Sequence, residues 1–285
     1  MTVSTGRRTP RADCTAGPGG GITFDLDLGR REDEEAPELL LRLRGAKGKG
    51  KGDGDTVRLQ LSPLRDGRLR AVLPGTLEPA EGRWDVYLRE PGAQDGEAVA
   101  VEPGIRDLRL LVDQVPQSGR IAVRIPYPTL DGRLAVRCWL RTPHAEAGPV
   151  TFDGLGMTVG GTLYGTGLGA GARVEARAPG ADGRVLRVPV TGDGEEGTFA
   201  FTLPLDELAD GAVTEPRLWT LWLIPGTAED GPAGGVRISR ILDDVWDRKK
   251  IFVYPGRSTG EGSRATPCYT TDNDLCVRLE PEPAP

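Results

Sequence analysis

Hydrophobic and polar residues alternate along much of this chain. Between residues 22 and 28, apolar side chains occupy every second position, and similar short segments recur as far as residue 254. A period of two places alternate side chains on opposite faces of an extended strand. Turn-forming residues separate the segments, and no helical crossover of a dozen residues lies between them. The pattern predicts an all-β protein made of antiparallel, immunoglobulin-like β-sandwiches.

The same β pattern occurs twice. Residues 66–74 and 196–204 each contain a turn and an alternating segment that ends in Leu-Pro. Each is followed by a segment with aromatic residues three positions apart, at residues 83–88 and 218–223. A duplicated β unit is more typical of a scaffold or a recognition protein than of a single catalytic cleft.

This duplication predicts two tandem modules with disordered termini, because each copy is long enough for one small domain. The residues at both ends of the chain are mostly small, charged or polar, and such side chains do not form a hydrophobic core. The expected parts are a disordered tail at 1–20, module 1 at 21–142, a linker at 143–149, module 2 at 150–256 and a disordered tail at 257–285.

The net charge and the hydropathy of the chain limit which partners and which cellular location we expect. The chain of 285 residues has a formal net charge of −6, which argues against nucleic acid as a partner because that binding depends on Lys and Arg. No segment approaches the ~20 apolar residues of a membrane span, and the N-terminal residues lack the apolar core of a secretory signal. We therefore expect a cytoplasmic protein, at most peripheral to the inner face of the membrane.

The sequence offers few residues for catalysis. His144 is the single histidine, it lies in the expected linker, and no serine-nucleophile motif accompanies it. The four cysteines lack paired zinc spacing, although Cys268 and Cys276 could close a small loop if oxidised. We predict no catalytic residue, no metal and no cofactor.

Five aromatic residues are candidates for an interface or for glycan contact: Trp84, Tyr87, Trp219, Trp222 and Trp246. Residues three apart on a strand point to opposite faces, so one member of each of the two pairs is expected in a core. The other member would cover a surface between modules or subunits. No continuous aromatic platform for a sugar follows from this spacing.

A candidate polar site lies at residues 240–249. Arg240, Asp243, Asp244 and Lys249 place carboxylates next to cations, with Trp246 among them. The two interpretations are a metal or sugar site and a charged loop that leads into a last strand. Arg240 and Asp244 are four residues apart and could pair on a helical turn.

Several segments resemble one bacterial family. Residues 238–244, 249–255 and 126–134, together with the repeated Leu-Pro and Trp pattern, are similar to the tandem C-terminal immunoglobulin-like modules of wall-teichoic-acid (poly-ribitol-phosphate) glycosyltransferases. The resemblance implies a role in trimerisation and in contact with the polymer. In that family a catalytic domain precedes the modules. This chain has only about 20 residues before the first expected strand, so the resemblance implies a stand-alone accessory form.

Three functions follow from these observations. The first is a non-catalytic scaffold that oligomerises, as a trimer by resemblance, or docks to a cell-envelope glycosyltransferase. The second is a carbohydrate-binding β-sandwich protein, with an anionic polysaccharide as a possible partner. The third is a transferase that works through Asp243, Asp244 and Lys249.

Overall fold

The computed structural model consists of strands, loops and short 3-10 turns, and the part of the chain that it describes contains no α-helix. The prediction of an all-β fold is confirmed. The chain divides into two compact units, unit 1 from residues 1–114 and 122–140 and unit 2 from residues 115–121 and 141–285. The described residues are 9–28, 36–45, 53–112, 116, 119–180, 183–193, 196–209, 213–226, 235–242, 244, 252–260 and 262–282.

Eleven strands belong mainly to unit 1. They are β1 (Arg11–Ala16), β2 (Ile22–Leu26), β3 (Glu38–Leu43), β4 (Thr56–Gln60), β5 (Ser62–Pro63), β6 (Leu69–Leu73), β7 (Gly82–Arg89), β8 (Val99–Ala100), β9 (Glu102–Asp107), β10 (Ile121–Pro128) and β11 (Leu134–Arg141). The 3-10 turns are Pro18–Gly20, Asp53–Asp55, Asp95–Glu97 and Arg109–Leu111.

These strands form two sheets. One has the order β5-β6-β2-β1-β9, and the other has the order β10-β11-β7-β3-β4 with β8 paired to β7. Alternate residues of both sheets form one buried cluster that includes Phe24, Leu41 and Trp84. This is the arrangement of a β-sandwich, in which each sheet buries one face and exposes the other.

Unit 2 contains the other eleven strands. They are β12 (His144–Asp153), β13 (Gly156–Tyr164), β14 (Arg173–Arg177), β15 (Val185–Pro189), β16 (Thr191–Asp193), β17 (Thr198–Pro204), β18 (Arg217–Ile224), β19 (Val236–Ser239), β20 (Arg257–Ser258), β21 (Ser263–Tyr269) and β22 (Leu275–Pro281). One 3-10 turn, Asp206–Leu208, follows β17.

The strands of unit 2 form a continuous hydrogen-bonded path, β16-β17-β13-β12-β19-β18-β22-β21-β20. Strand β18 is central. It pairs with β14 along one edge, and β14 pairs with β15. Along its other edge, β18 pairs with β22 through residues 217–220 and with β19 through residues 222 and 223. The buried cluster of this unit includes Val159, Phe201, Leu221 and Val277.

Three sequence-based expectations of irregular structure were wrong. Residues 11–16, expected in a disordered tail, form β1 and bury Ala12, Cys14 and Ala16. Their buried side chains are small, so a hydrophobic alternation is hard to see in the sequence. Residues 144–149, expected in a linker, belong to β12, whose first buried residues are His144 and Ala145.

The third incorrect expectation was a disordered tail at residues 257–285. Residues 263–269 and 275–281 form the hairpin β21-β22, which pairs with β18. Its inner side chains include Leu275 and Val277, and polar Ser263 is buried at the other end of the hairpin, beside Thr259. The polar composition of this segment reflects turns, an exposed face and some buried polar side chains. Residues 1–8, part of the other expected tail, lie outside the described residues.

No helix in the described part of the chain is long and apolar enough to cross a membrane.

Candidate functional site

In each of the two aromatic pairs, Trp84 with Tyr87 and Trp219 with Trp222, the two residues lie on opposite faces of their strand. Trp84 and Trp219 are buried in the cores of their units, at 0% and 2% exposure. Tyr87 and Trp222 lie half-buried on the outer faces of β7 and β18. This is the division that a spacing of three predicts. Trp246, the fifth aromatic candidate, lies outside the described residues.

Trp222 lies between two arginines. The guanidinium carbon of Arg177, on β14, is 4.6 Å from the centre of the Trp222 ring, and that of Arg237, on β19, is 4.8 Å from it. Because β14 and β19 lie on opposite sides of β18, the two cations approach the ring from opposite sides. The indole N–H donates to Oγ1 of Thr220 at 3.0 Å. A ring covered in this way is held by cation–π contacts and is not open for stacking on a sugar.

Glu175 is the anionic centre of the same surface. Its side chain is 8% exposed and accepts hydrogen bonds from three arginines. The contacts come from Arg173 and Arg177 on the same strand, at 3.1 and 2.9 Å, and from Arg187 on β15 at 3.2 Å. Burial raises the pKa of this carboxyl group, but the arginine hydrogen bonds outweigh burial and hold the pKa below its usual value.

These residues form a row across four strands. Arg187 lies opposite Glu175, Glu175 lies opposite Trp222, and Trp222 lies opposite Arg237. Arg173 and Arg177 flank Glu175 two positions away and therefore share its face. We call these six residues the arginine face: Arg173, Glu175, Arg177, Arg187, Trp222 and Arg237.

One end of the arginine face is tied to the C-terminal hairpin. Arg237 donates to Asp274 at 2.9 Å, and Ser239 donates to the same carboxylate at 2.6 Å. Arg141 also approaches Asp274, at 3.6 Å. Asp274 precedes β22, so it links that hairpin to β19 and stabilises the position of Arg237.

The outer face of unit 1 has the same strand register as the arginine face of unit 2. Arg58 lies opposite Leu40, and Leu40 lies opposite Tyr87, as Arg187, Glu175 and Trp222 do in unit 2. Arg42, two residues after Leu40, lies 4.8 Å from the centre of the Tyr87 ring, which matches Arg177 over Trp222. The sequence duplication is therefore also a duplication of strand pairing and of one arginine–aromatic contact.

The two outer faces differ in charge. At the six matched positions unit 1 has two arginines and one glutamate, whereas unit 2 has four arginines and one glutamate. In unit 1, Asp95 adds a second carboxylate, which binds Arg58 and Arg89 at 2.6 and 3.3 Å, and in unit 2 Asp274 adds a second carboxylate, which binds Arg237. Three of the six matched positions differ in charge. Glu38 of unit 1 corresponds to Arg173 of unit 2, Leu40 to Glu175, and Ala100 to Arg237.

The candidate polar site at 240–249 is only partly described. Arg240 donates to the main-chain oxygen of Ala147 at 3.4 Å and stacks on the ring of Phe252 at 4.3 Å. The N–H of Asp244 donates to the carbonyl of Ile241, which closes a tight turn. These contacts give Arg240 a packing role beside β12. Asp243 and Lys249 lie outside the described residues.

His144 has a structural role. Its ring is fully buried on β12, and Nε2 lies 2.7 Å from a carboxylate oxygen of Glu146. The same carboxylate accepts hydrogen bonds from the N–H groups of Ile241 and Leu242, at 3.0 and 3.2 Å. The pair therefore holds the chain after β19 against β12. Within the described ranges, no group of three His, Cys, Asp or Glu side chains could hold a metal ion.

No protein-family model and no curated protein matches this sequence. Many solved structures are similar to it, including the following three. A crystal structure of S. aureus TarS 217-571 has 16% identity and a TM-score of 0.32 over 68% of this chain and 55% of that one. A structure of S. aureus TarS has 15% identity and a TM-score of 0.34 over 73% of this chain and 38% of that one. A marsupial T cell receptor has 8% identity and a TM-score of 0.27 over 95% and 92% of the two chains.

This chain thus spans about half or less of the two TarS chains.

The sequence analysis missed the arginine face although one signal was present. Arg173, Glu175 and Arg177 alternate along one segment, and a period of two puts them on one strand face. Arg187 and Arg237 are distant in the sequence. Only the strand register brings them to Glu175 and Trp222.

Proposed function

We propose that this protein is a non-catalytic docking scaffold that assembles through unit 1, as an accessory to a cell-envelope glycosyltransferase. The observation that carries the docking part is an exposed apolar edge on that unit. The link to a glycosyltransferase rests on the sequence resemblance described above.

The apolar edge follows strand β9. Among the described residues β9 is the last strand of its sheet, and it pairs with β1 in parallel. Ile105 on this strand is 73% exposed, and Leu110 and Val112, just beyond it, are 53% and 40% exposed. A strand at the edge of a sheet that displays apolar side chains is a favourable place for another chain to pack.

Exposed apolar residues are concentrated in unit 1. Of the nine large hydrophobic residues that are exposed in the described part of the chain, seven belong to unit 1 and two to unit 2. Protein interfaces bury apolar groups at their centre, so this distribution favours unit 1 as the docking unit. The aromatic residues of unit 2 do not favour it, since Trp219 is buried and Trp222 is covered by arginines.

Light scattering coupled to size-exclusion chromatography tests the scaffold. We expect the wild-type chain to form a closed oligomer, a trimer by resemblance, and the Ile105→Asp/Leu110→Asp variant to dissociate. A cyclic trimer needs two different complementary patches, and a charged β9 edge would remove one of them. The matched control is Leu130→Asp, because Leu130 is fully exposed at the turn between β10 and β11, which belong to the other sheet of unit 1.

Two results would contradict the proposal. A wild-type chain that stays monomeric at every concentration would exclude self-assembly. An oligomer that survives the double substitution would exclude the β9 edge. The proposal that the protein is not an enzyme has a separate test. Transferase activity that is lost in Asp244→Asn with an unchanged melting temperature would show that the protein is an enzyme.

A further inference from the structure

Two cysteines face each other in the C-terminal hairpin. Cys268 on β21 lies directly opposite Cys276 on β22, and both are free thiols. The side chains of directly opposite residues lie on the same face of an antiparallel pair. The strand register therefore places the two thiols side by side on one face of the hairpin.

The backbone spacing of this pair suits a disulfide. Hydrogen-bonded and non-hydrogen-bonded pairs alternate along an antiparallel ladder. The N–H of Thr270 donates to the carbonyl of Asp274 at 3.0 Å, two positions further along the hairpin. Cys268 and Cys276 therefore also form a hydrogen-bonded pair. The Cα atoms of such a pair are about 5.5 Å apart, within the range of about 4.4–6.8 Å that disulfides span.

The two thiols differ in exposure. Cys276 is fully buried, and Nη2 of Arg237 lies 4.0 Å from its Sγ atom. Cys268 is only partly buried. A reagent in solution therefore reaches Cys268 first, and Cys276 is left to react with its neighbour. A bridge between them would keep one accessible sulfur, which is typical of disulfides that are readily reduced.

Burial and nearby cations act on these thiols in opposite directions. Burial raises the pKa of Cys268, and Arg278 partly offsets this rise. Burial also raises the pKa of Cys276 to about 12, and Arg237 again acts against it. Little thiolate is therefore present at neutral pH, so exchange with a disulfide should become faster as the pH rises.

The other two cysteines have a different setting. Cys14 and Cys138 are buried in the core of unit 1, on strands β1 and β11. These strands belong to different sheets and are not hydrogen-bonded neighbours. Their burial makes them internal controls for any reaction that depends on access from solution.

We propose that Cys268 and Cys276 are a modification site, at which exchange with a small disulfide such as oxidised glutathione forms a reversible bridge. The bridge would join β21 to β22 two residues after Asp274, whose carboxylate binds Arg237 and Ser239. It would therefore stabilise the hairpin that completes the pairing of β18. The site goes beyond the proposed scaffold and does not depend on it.

The reaction consists of two exchange steps. The Cys268 thiolate attacks one sulfur of the small disulfide, the S–S bond breaks, and one small thiolate leaves. The Cys276 thiolate then attacks the Cys268 sulfur of this mixed disulfide and releases the second small thiolate. The two protons lost by the protein end on the two small thiols. The second step is intramolecular, and this compensates for the small thiolate fraction of Cys276.

Mass spectrometry of the full-length chain in glutathione buffers tests the site. Trypsin releases both cysteines on one peptide, residues 265–278, because arginine occupies positions 264 and 278. After acid quenching and alkylation of the unfolded chain, we expect a peptide without adducts and lighter by two hydrogen atoms. Its fraction should rise with oxidised glutathione and fall again with dithiothreitol. Cys14 and Cys138 should remain thiols that alkylate fully.

Two variants test the order of the steps. In native Cys276→Ala, a glutathione adduct should accumulate on Cys268, because no second thiol displaces it. In native Cys268→Ala, the buried Cys276 should carry no adduct. Melting temperatures report whether each variant is folded, and the wild-type experiment stands without them.

Hydrogen exchange measures the effect of the bridge. In the oxidised wild-type chain, N–H groups of residues 263–281 should exchange about tenfold more slowly than in the reduced chain, because a cross-link limits opening of the hairpin. Cys276→Ala in the same oxidising buffer is the control and should show no such slowing.

The proposal is overturned if no bridged peptide forms in the native chain at the highest fraction of oxidised glutathione. A bridge that forms only after denaturation would also overturn it, as would a disulfide-linked dimer in place of the internal bridge. Unchanged exchange after oxidation would exclude the stabilising effect on the hairpin.

Discussion

Arg237 and Ala100 occupy matching places in the two units, each directly opposite the outer aromatic residue of its own unit. Arg237 covers the Trp222 ring from the side opposite Arg177. Ala100, which lies beside Tyr87, has an uncharged side chain. The two units therefore share one arginine–aromatic contact, and the position of Arg237 is taken by an alanine in unit 1. The two guanidinium groups occupy the positions that a sugar ring would need in order to stack on Trp222.

The covered ring makes a spectroscopic prediction. In a Trp246→Phe background, Arg237→Ala should increase acrylamide quenching of tryptophan fluorescence, because one face of Trp222 becomes accessible to solvent. Trp84, Trp139 and Trp219 are buried and should contribute little to the change. Arg109→Ala, an exposed substitution in unit 1, should leave quenching unaltered. Equal quenching in both variants would mean that Arg237 does not shield the ring in solution.

Glu175 should link stability to pH. Its pKa is lowered in the folded state, so its stabilising effect is present above the ordinary value of 4.5 and is lost as the pH falls through the folded-state pKa. We expect Glu175→Gln to lower the free energy of unfolding by about 1–3 kcal/mol at pH 7, because three arginines lose a charged acceptor. The difference from wild type should shrink below about pH 4.5, as chemical denaturation at several pH values would show.

The control for this prediction is Asp107→Asn. Asp107 pairs with Arg109 at 2.6 Å, but the Arg109 side chain is 88% exposed and that of Asp107 is 35% exposed, and such surface pairs contribute little to stability. A Glu175→Gln variant as stable as wild type at pH 7 would contradict the central role of the carboxylate.

The C-terminal hairpin should be essential for unit 2. Leu275→Ala removes a fully buried side chain from the core of that unit, and we expect a loss of about 2–5 kcal/mol. Hydrogen exchange measured by mass spectrometry should show faster exchange in unit 2 and unchanged protection in unit 1. Leu130→Ala, at an exposed turn, is the control. Unchanged exchange in Leu275→Ala would indicate that the hairpin does not pack in solution.

The cysteines should differ in reactivity. Burial raises the pKa of Cys14, Cys138 and Cys276 to about 12, so these thiols carry little reactive thiolate at pH 8. Cys268 lies directly opposite Cys276 on the neighbouring strand but is only partly buried. Iodoacetamide should therefore modify at most Cys268 in the native chain and all four cysteines after unfolding. Mass spectrometry counts the adducts, and early labelling of Cys14 would contradict the structure.

Much of the fold could be predicted from alternation alone. The strands around Phe24, Trp84 and Phe201 have large apolar residues at every second position, and the structure places them in the two cores. The alternation fails where the inward residues are small, as in β1, or where buried polar groups such as His144 and Ser263 replace them. In those strands, hydrogen bonding within the folded unit compensates for the polar side chain, and composition does not reveal this.

The arginine face was harder to predict for a different reason. Local sequence shows which residues share one strand face, and it could have grouped Arg173 with Glu175. It does not show which distant strand lies beside β14, so Arg187 and Arg237 could not be assigned. Strand order and register depend on the packing of the whole unit.

The position of the C-terminal hairpin has a consequence for biosynthesis. Strand β18 obtains its neighbour β22 only after residues 275–281 have been synthesised, whereas the strands of unit 1 are complete by residue 141. Unit 1 can therefore fold first, while the edge of β18 at residues 217–220 stays unpaired until the hairpin has been made. A ribosome that stops before the hairpin would release a chain with an open sheet edge and an unfinished core. An open edge and an incomplete core expose the backbone to proteases, so we expect a chain that lacks the hairpin to be degraded faster than one that has it.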